Sequence, residues 1–175
     1  ERIDLLEIDI EEDCLKILAL HQPVAIDLRF IVVAMKMNND LERVGDLAAN
    51  IAERAISCRT EACGDVPDEI PEMVRITQGM LKHSIDALIH MDGGLAARVC
   101  DEDVRVDILN RQVYELVRSE IAAGQGVPPG RLNVLAVSRH LERIADHATN
   151  IAEDVMYMVG GKIARHQAAK ESRPH

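Results

Sequence analysis

A segment of fourteen residues occurs twice in this chain, and the two copies lie 100 residues apart. The first copy, at residues 40–53, reads DLERVGDLAANIAE, and the second, at residues 140–153, reads HLERIADHATNIAE. Nine of the thirteen positions from 41 to 53 are identical in the second copy, and the others exchange small or apolar residues, except that Leu47 becomes His147. The chain is therefore a tandem repeat, and its fold must place two similar segments in equivalent positions.

The composition and the spacing of apolar residues predict an all-α protein. Apolar residues make up 47% of the 175 residues, but only three are aromatic, which suits a core of closely packed helices. Helical periodicity predicts helices over about residues 3–20, 24–56, 71–91, 95–123 and 131–158. A glycine-type stop is predicted at Asp92-Gly93-Gly94. The inner face of the second helix is predicted to consist of Leu28, Ile31, Val32, Met35, Leu41, Val44, Ala48, Ile51 and Ala55.

The 100-residue offset matches the second predicted helix with the fifth. The second half then reads as a complete unit of three antiparallel helices, whereas the first half shows two. We therefore predict two pseudo-symmetric three-helix bundles of the up-down-up, spectrin-like kind, with the first repeat at residues 1–60 and the second at 61–175. The chain starts without an initiator methionine, inside a helical pattern, so we expect the first helix of the first repeat to lie before Glu1.

Charge and cysteine usage exclude several classes of protein. A formal net charge of −10 repels nucleic acid and anionic membranes, so we predict no nucleic-acid partner. No apolar run approaches 18 residues, so we predict no insertion into a membrane. The four cysteines form no Cys-x-x-Cys motif and suit a reduced, cytoplasmic setting.

Each copy of the repeat places oxygen-bearing side chains four residues apart, on one stripe of its helix. Like charges at this spacing cost about 0.2–0.5 kcal/mol on an exposed helix, and more where solvent screens them less. A repeated arrangement of this kind favours a bound cation. The residues are Glu42, Asp46 and Asn50 in the first copy and Glu142, Asp146 and Asn150 in the second, and Asp103 with Asp107 forms another such pair.

Ordinary surface ion pairs are the alternative interpretation of these stripes. Arg43 and Arg143 lie three residues before Asp46 and Asp146 and could neutralise them. Glu42, in contrast, is predicted to have no basic partner within its helix. The spacing alone leaves both interpretations open. Antiparallel packing of the fourth and fifth helices is expected to bring the Asp103/Asp107 pair opposite the Glu142/Asp146 pair.

The motifs argue against an enzyme. Di-iron carboxylate enzymes use Glu-x-x-His from two helices, and this chain has none. It also lacks Gly-x-Ser-x-Gly and a glycine-rich phosphate loop. An oxygen-only ligand set suits hard cations such as Mg²⁺, Mn²⁺ or iron. We predict a non-enzymatic protein, with a carboxylate-bridged metal enzyme or a metal-storage bundle as the alternative.

The chain resembles the PhoU family over about residues 3–166, and three segments carry the resemblance. They are LALHQPVAIDLRFIVVAMKMNNDLERVGDLAANIAERA, the repeat LERIADHATNIAEDVMYMVGGKIARH, and DEDVRVD. The resemblance implies two three-helix bundles whose paired Glu/Asp-x-x-x-Asp motifs hold metal ions, in clusters of more than one. The expected ions are divalent or trivalent, namely iron, manganese, magnesium or zinc, and oxygen ligands do not choose among them. The implied ligands are Asp4, Glu42, Asp46, Asp103, Asp107, Glu142 and Asp146; Asp4 is the last residue of a motif whose first residue would precede Glu1.

The resemblance also implies a function. Members of the PhoU family are expected to be cytoplasmic negative regulators of phosphate uptake and of phosphate-starvation signalling. The implied partners are PstB, the ATPase of the phosphate ABC transporter, and the sensor histidine kinase PhoR, with the protein itself a homodimer. On this interpretation the chain is a metal-binding helical adaptor between transporter and kinase.

Overall fold

Five helices account for nearly all of the structure, a computed structural model that describes residues 2–124 and 128–160. They are α1 (Arg2–His21), α2 (Ala25–Thr60), α3 (Glu69–His90), α4 (Gly93–Ala122) and α5 (Arg131–Gly160). No strand occurs in these residues, so the predicted all-α class is confirmed. None of the helices in the described ranges combines the length and the apolarity needed to cross a bilayer.

The helices α3, α4 and α5 pack against one another as a three-helix bundle. The α1 and α2 helices form a hairpin, and α2 then packs against α5. Across the described residues α1 contacts no helix other than α2. The α5 helix therefore has neighbours on three sides. A division into repeats at residues 1–60 and 61–175, which places α1 and α2 in the first and the other helices in the second, stays a prediction.

The core lies mainly between α3, α4 and α5. Its largest fully buried side chains are Met73 and Met80 of α3, Val99, Val106, Val113 and Val117 of α4, and Ile151, Val155 and Met158 of α5. On α2 the buried residues are Val33, Asn38 and Leu47. The inner face predicted for α2 is wrong in part, since Leu28 is 41% and Val32 37% exposed. The reason is that, among the helices the structure describes, α2 packs against only α1 and α5.

The connection between α3 and α4 differs from the predicted glycine stop. The left-handed residue that ends α3 is Met91, with φ 52°, and not a glycine. Asp92 instead begins the next helix, because its side chain accepts a hydrogen bond from the backbone N–H of Leu95 at 2.9 Å. Gly93 and Gly94 lie in the first turn of α4. The Asp-Gly-Gly sequence is thus an N-cap rather than a C-cap.

One hydrogen bond occurs at the same place in both repeats. In the first hairpin the Asn38 amide donates to the backbone carbonyl of Glu7 at 2.7 Å. In the second, the Ser138 hydroxyl donates to the side-chain oxygen of Asn110. Ser138 lies 100 residues after Asn38, and Asn110 lies 103 residues after Glu7. The offset of 103 residues also matches Asp4 with Asp107, so the α1–α2 and α4–α5 hairpins pair in corresponding registers when α1 is aligned with α4 at that offset.

The contact between α2 and α5 is antiparallel and contains two polar pairs. Asp40 contacts the Nδ1 atom of His147 at 2.8 Å, and Lys36 contacts Asp154 at 3.0 Å. The repeat equivalents of these pairs cannot form, because His140 would meet Leu47, and Ala136 would meet Arg54. His140 accordingly has a buried Nδ1 atom without a hydrogen bond in the described structure. Its pKa is lowered by burial, then by Arg143 and Arg54.

The cysteine usage had led us to expect reduced cysteines, and this expectation is wrong for two of the four. Cys58 and Cys63 form a disulfide with a Cα–Cα distance of 5.3 Å. The α2 helix runs to Thr60, and the chain then turns back on itself, which brings Cys63 onto the last turn of the helix. Cys14 and Cys100 are free.

We predict that a cavity in the three-helix core destabilises the whole protein. Met80→Ala removes a fully buried side chain of α3 and should lower the free energy of unfolding by about 2–5 kcal/mol. Val104→Ala, on the exposed face of α4, is the control and should change it by less than about 0.5 kcal/mol. Urea denaturation followed by circular dichroism measures both. Equal effects of the two variants would contradict this location of the core.

Candidate functional site

A groove with a volume of 640 Å³ runs between α4 and α5. The hydrogen bond from Ser138 to Asn110 fixes the register of the two antiparallel helices and thereby sets which side chains meet across the groove. One end carries carboxylates and the other carries guanidinium groups. The lining residues are Asp107, Asn110, Arg111, Tyr114, Leu135, Arg139, Glu142, Arg143 and Asp146.

The carboxylates of α4 and α5 act on one another electrostatically. The pKa of Asp103 is raised from 3.8 to about 6, first by burial and then by the charges of Asp107, Asp146 and Glu142. The Thr149 hydroxyl lies near Asp103 and opposes this shift, but it forms no hydrogen bond of normal geometry in the described structure. The structure thus brings together the four acids that the sequence predicted to face one another.

Two further pKa shifts point the same way. Burial raises the pKa of Glu142, and the charges of Asp146 and Asp107 add to the effect. Burial also raises the pKa of Asp146, with Asp107 as the next cause. Arg143 opposes both shifts without cancelling them. The group carries excess negative charge, and a cation would relieve it.

We name Asp103, Asp107, Glu142 and Asp146 the carboxylate cluster. Its oxygen-only donor set and its excess of negative charge fit a hard cation. Among residues 2–124 and 128–160, however, no three His, Cys, Asp or Glu side chains lie close enough together to hold one metal ion. Ligation by the cluster therefore requires the side chains to move together, and it stays a prediction.

The acids of the first repeat are arranged differently. Arg43 contacts Glu42 at 3.3 Å and Asp46 at 3.7 Å. The prediction that Glu42 lacks a basic partner in its helix is wrong, because the neighbouring arginine folds back onto it. Ordinary ion pairing thus describes this stripe in the structure.

Asp4 lies on the exposed surface of α1, near the first acidic stripe. Its neighbour Ile3 packs against Gly45, where a Cβ atom would come within 2.8 Å of the Ile3 Cδ1 atom. A larger residue at position 45 would require the end of the Ile3 side chain to shift, and the contact places the start of α1 beside the stripe that contains Glu42 and Asp46. Metal binding by Asp4, Glu42 and Asp46 stays a prediction.

The sequence prediction missed the basic end of the groove. Arg111 and Arg139 line it, together with Asn110 and Tyr114, whereas Arg143 lies beside Glu142 at the acidic end. A signal for both arginines was present in the sequence, since Arg111 follows Asp107 by four positions and Arg139 precedes Glu142 by three. Such spacing places them on the same stripes as the acids.

We predict that Asp103 makes the metal-free protein less stable as the pH rises. Because its folded pKa of about 6 exceeds its unfolded value of 3.8, the folded state binds more protons in that window, so stability falls as the pH rises through it. Asp103→Asn should therefore stabilise the protein at pH 7 in the presence of a chelator, and the gain should disappear below about pH 4. Melting temperatures from pH 3.5 to pH 8 measure this. Asp101→Asn, at an exposed carboxylate of the same helix, is the control; an unchanged pH profile in Asp103→Asn would contradict the prediction.

Several proteins are similar to this chain over nearly its whole length. One is a phosphate-specific transport system accessory protein PhoU homolog from Pseudomonas aeruginosa, which is 38% identical over 95% of this chain and 69% of its own length. A homolog of the same name from Aquifex aeolicus is 40% identical over 98% of this chain and 77% of its own length. These relatives are named accessory proteins and not enzymes.

Solved structures agree in fold. The crystal structure of PhoU from Pseudomonas aeruginosa has a TM-score of 0.86 and 36% identity, and the match covers 92% of this chain and 78% of that chain. The phosphate transport system regulatory protein PhoU from Streptococcus pneumoniae has a TM-score of 0.81 and 27% identity, over 93% and 76% of the two chains. The family model of the PhoU domain matches residues 1–55 and 70–155. The chain belongs to the PhoU domain family.

Proposed function

We propose that this protein is an accessory regulator of phosphate transport. The observation that carries the proposal is similarity to proteins named for the phosphate-specific transport system over more than nine tenths of the chain. A helical scaffold that holds charged side chains on open surfaces suits binding to protein partners. More specifically, we propose that the protein is a cytoplasmic negative regulator that links the PstB ATPase to the PhoR histidine kinase. It would act as a homodimer.

We propose further that the carboxylate cluster binds divalent or trivalent cations. The raised pKa of Asp103 supports this, because it reflects burial first and then the negative charges of Asp107, Asp146 and Glu142. A cation there would be held by carboxylates of both helices and would tie α4 to α5. The ion is iron, manganese, magnesium or zinc, and the oxygen donors alone do not choose among them.

The first repeat is the weaker candidate for a cation. Arg43 already compensates Glu42 and Asp46, so an incoming ion must displace this arginine. The carboxylate cluster has no counterion at comparable distance, since no ion pair joins its members to a basic side chain in the described residues. We therefore expect the second repeat to bind first.

Metal binding should raise the stability of the protein through the carboxylate cluster. At Mn²⁺ concentrations of about 100 times the Kd, the gain is about 2.7 kcal/mol and appears as a higher melting temperature. Glu142→Ala/Asp146→Ala should abolish most of the gain, whereas Glu42→Ala/Asp46→Ala should retain it. Elemental analysis of untagged protein purified without chelator gives the metal content of each variant. No metal in the wild type, together with no response to Mn²⁺ or Fe²⁺, would contradict the metal site.

Capture of partners tests the adaptor function. Affinity purification from phosphate-replete cells should recover the transporter ATPase and the histidine kinase with the wild-type protein. Glu142→Ala/Asp146→Ala tests whether the cluster takes part, and Asp101→Asn controls for the loss of a surface charge. Failure to recover either partner, combined with catalytic turnover of a phosphate ester or of Fe²⁺, would favour the metal-enzyme alternative.

A further inference from the structure

The groove between α4 and α5 has a basic end that the carboxylate cluster does not explain. Arg111 and Arg139 follow directly after Asn110 and Ser138, the two residues whose side chains are hydrogen-bonded across the helix pair. The two arginines therefore lie on opposite walls, offset by about 3 Å along the helix axes, and both line the groove. Like charges that face each other across a groove repel, just as the acids at the other end do.

Neither arginine has a partner that would account for its position. In the part of the chain that the structure describes, Arg111 and Arg139 form no hydrogen bond and no ion pair. Arg139 interacts electrostatically with Glu142 and opposes the rise in the pKa of that carboxyl, but the two side chains form no ion pair. Elsewhere on the same helix Arg118 does pair, with Glu115 at 3.3 Å. Arg98 of α4 also forms no such pair in the described residues, so what sets Arg111 and Arg139 apart is that both line one groove.

The other polar groups at this end are able to donate hydrogen bonds. The Asn110 side-chain oxygen already accepts the Ser138 hydroxyl, which leaves its NH₂ group as the free part of the amide. Tyr114 adds a phenolic hydroxyl to the lining, and a guanidinium group is a donor only. Four side chains with available donors converge on one open space. That chemistry suits an anion that has several acceptor oxygens and no donor of its own.

We propose that the basic end of the groove, formed by Arg111, Arg139, Asn110 and Tyr114, binds a tetrahedral oxyanion of the phosphate class. Guanidinium groups bind such anions through paired, charge-assisted hydrogen bonds. A carboxylate ligand has two oxygens and would leave donors unused, whereas a phosphoryl group has three or four. The groove is open, so the anion is either free phosphate or the phosphoryl group of a larger molecule.

The position next to the carboxylate cluster predicts a coupling between the two ends. A cation in the cluster would cancel the attraction of Glu142 for Arg139 and leave the arginine free to bind the anion. Oxyanion affinity should therefore rise when the cation is bound. This coupling rests on the proposed function of the cluster, whereas the oxyanion site rests on the arginines alone.

Equilibrium dialysis of the full chain against radiolabelled inorganic phosphate, at constant ionic strength and with chelator present, tests the site. The wild type should bind phosphate saturably, and sulfate should compete while acetate should not. Arg111→Gln and Arg139→Gln should each weaken binding about tenfold or more. Arg118→Gln removes an equal charge from α4 outside the groove and should leave the affinity unchanged. Circular dichroism verifies that each variant folds.

Two further experiments distinguish free phosphate from the phosphoryl group of a larger molecule, and the oxyanion site from the metal site. Competition by phenyl phosphate would show that the site accepts a phosphoryl group on a larger molecule, and its absence would restrict the site to the free ion. Repeating the titration with Mn²⁺ should lower the Kd. Equal phosphate affinity in the wild type, Arg111→Gln and Arg139→Gln, or no saturable binding with or without Mn²⁺, would overturn the oxyanion site. If phosphate binding depends on the arginines but Mn²⁺ does not bind, the oxyanion site stands and the metal proposal fails.

Discussion

Burial of α5 on three sides is the constraint on which the rest of the structure depends. Its Ala145, Ala148 and Ala152 are fully buried, and side chains this small let neighbouring helices approach closely. Larger side chains such as Ile151 and Val155 fill the space between them. Polar residues of α5 must then occupy the edges of its contacts. Glu142 and Asp146 lie at the edge that faces α4, and this is why acids of two helices meet there.

The same burial explains why the repeat is not perfectly symmetric. Asp154 of α5 is only 5% exposed, and a carboxylate at such a position is stable only when it is compensated. Lys36 of α2 provides the charge, and His147 contacts Asp40 one turn away. Both pairs involve positions at which the two copies of the repeat differ. The sequence differences between the two copies therefore favour one antiparallel register between α2 and α5.

Divergence also makes the two acidic stripes chemically different. The residues Glu42 and Asp46 have exact counterparts in Glu142 and Asp146, and both stripes have an arginine at the equivalent position. In the first stripe Arg43 contacts both acids, whereas the second stripe faces Asp103 and Asp107 from α4. The environment supplied by α4, and not the motif itself, therefore determines where negative charge remains unbalanced.

The sequence predicted the class of fold and the number of helices because the apolar periodicity is long and the repeat is unambiguous. It also placed Asp103 and Asp107 opposite Glu142 and Asp146, since a short connection between antiparallel helices leaves few registers. It did not predict the contact of Arg43 with Glu42 or the basic end of the groove. Those features depend on side-chain rotamers and on which arginines lack a partner, and neither is encoded in residue spacing. The αL conformation of Met91 was missed for a similar reason, because Asp92 could act as a cap for the helix on either side.

Anomalous diffraction tests most directly the proposed cation at the carboxylate cluster. Crystals grown with Mn²⁺ and measured at a wavelength where manganese scatters anomalously should show a peak between α4 and α5, within ligand distance of at least one carboxylate from each helix. A peak at the first acidic stripe alone, or no peak at all in crystals whose groove is open to solvent, would contradict the account.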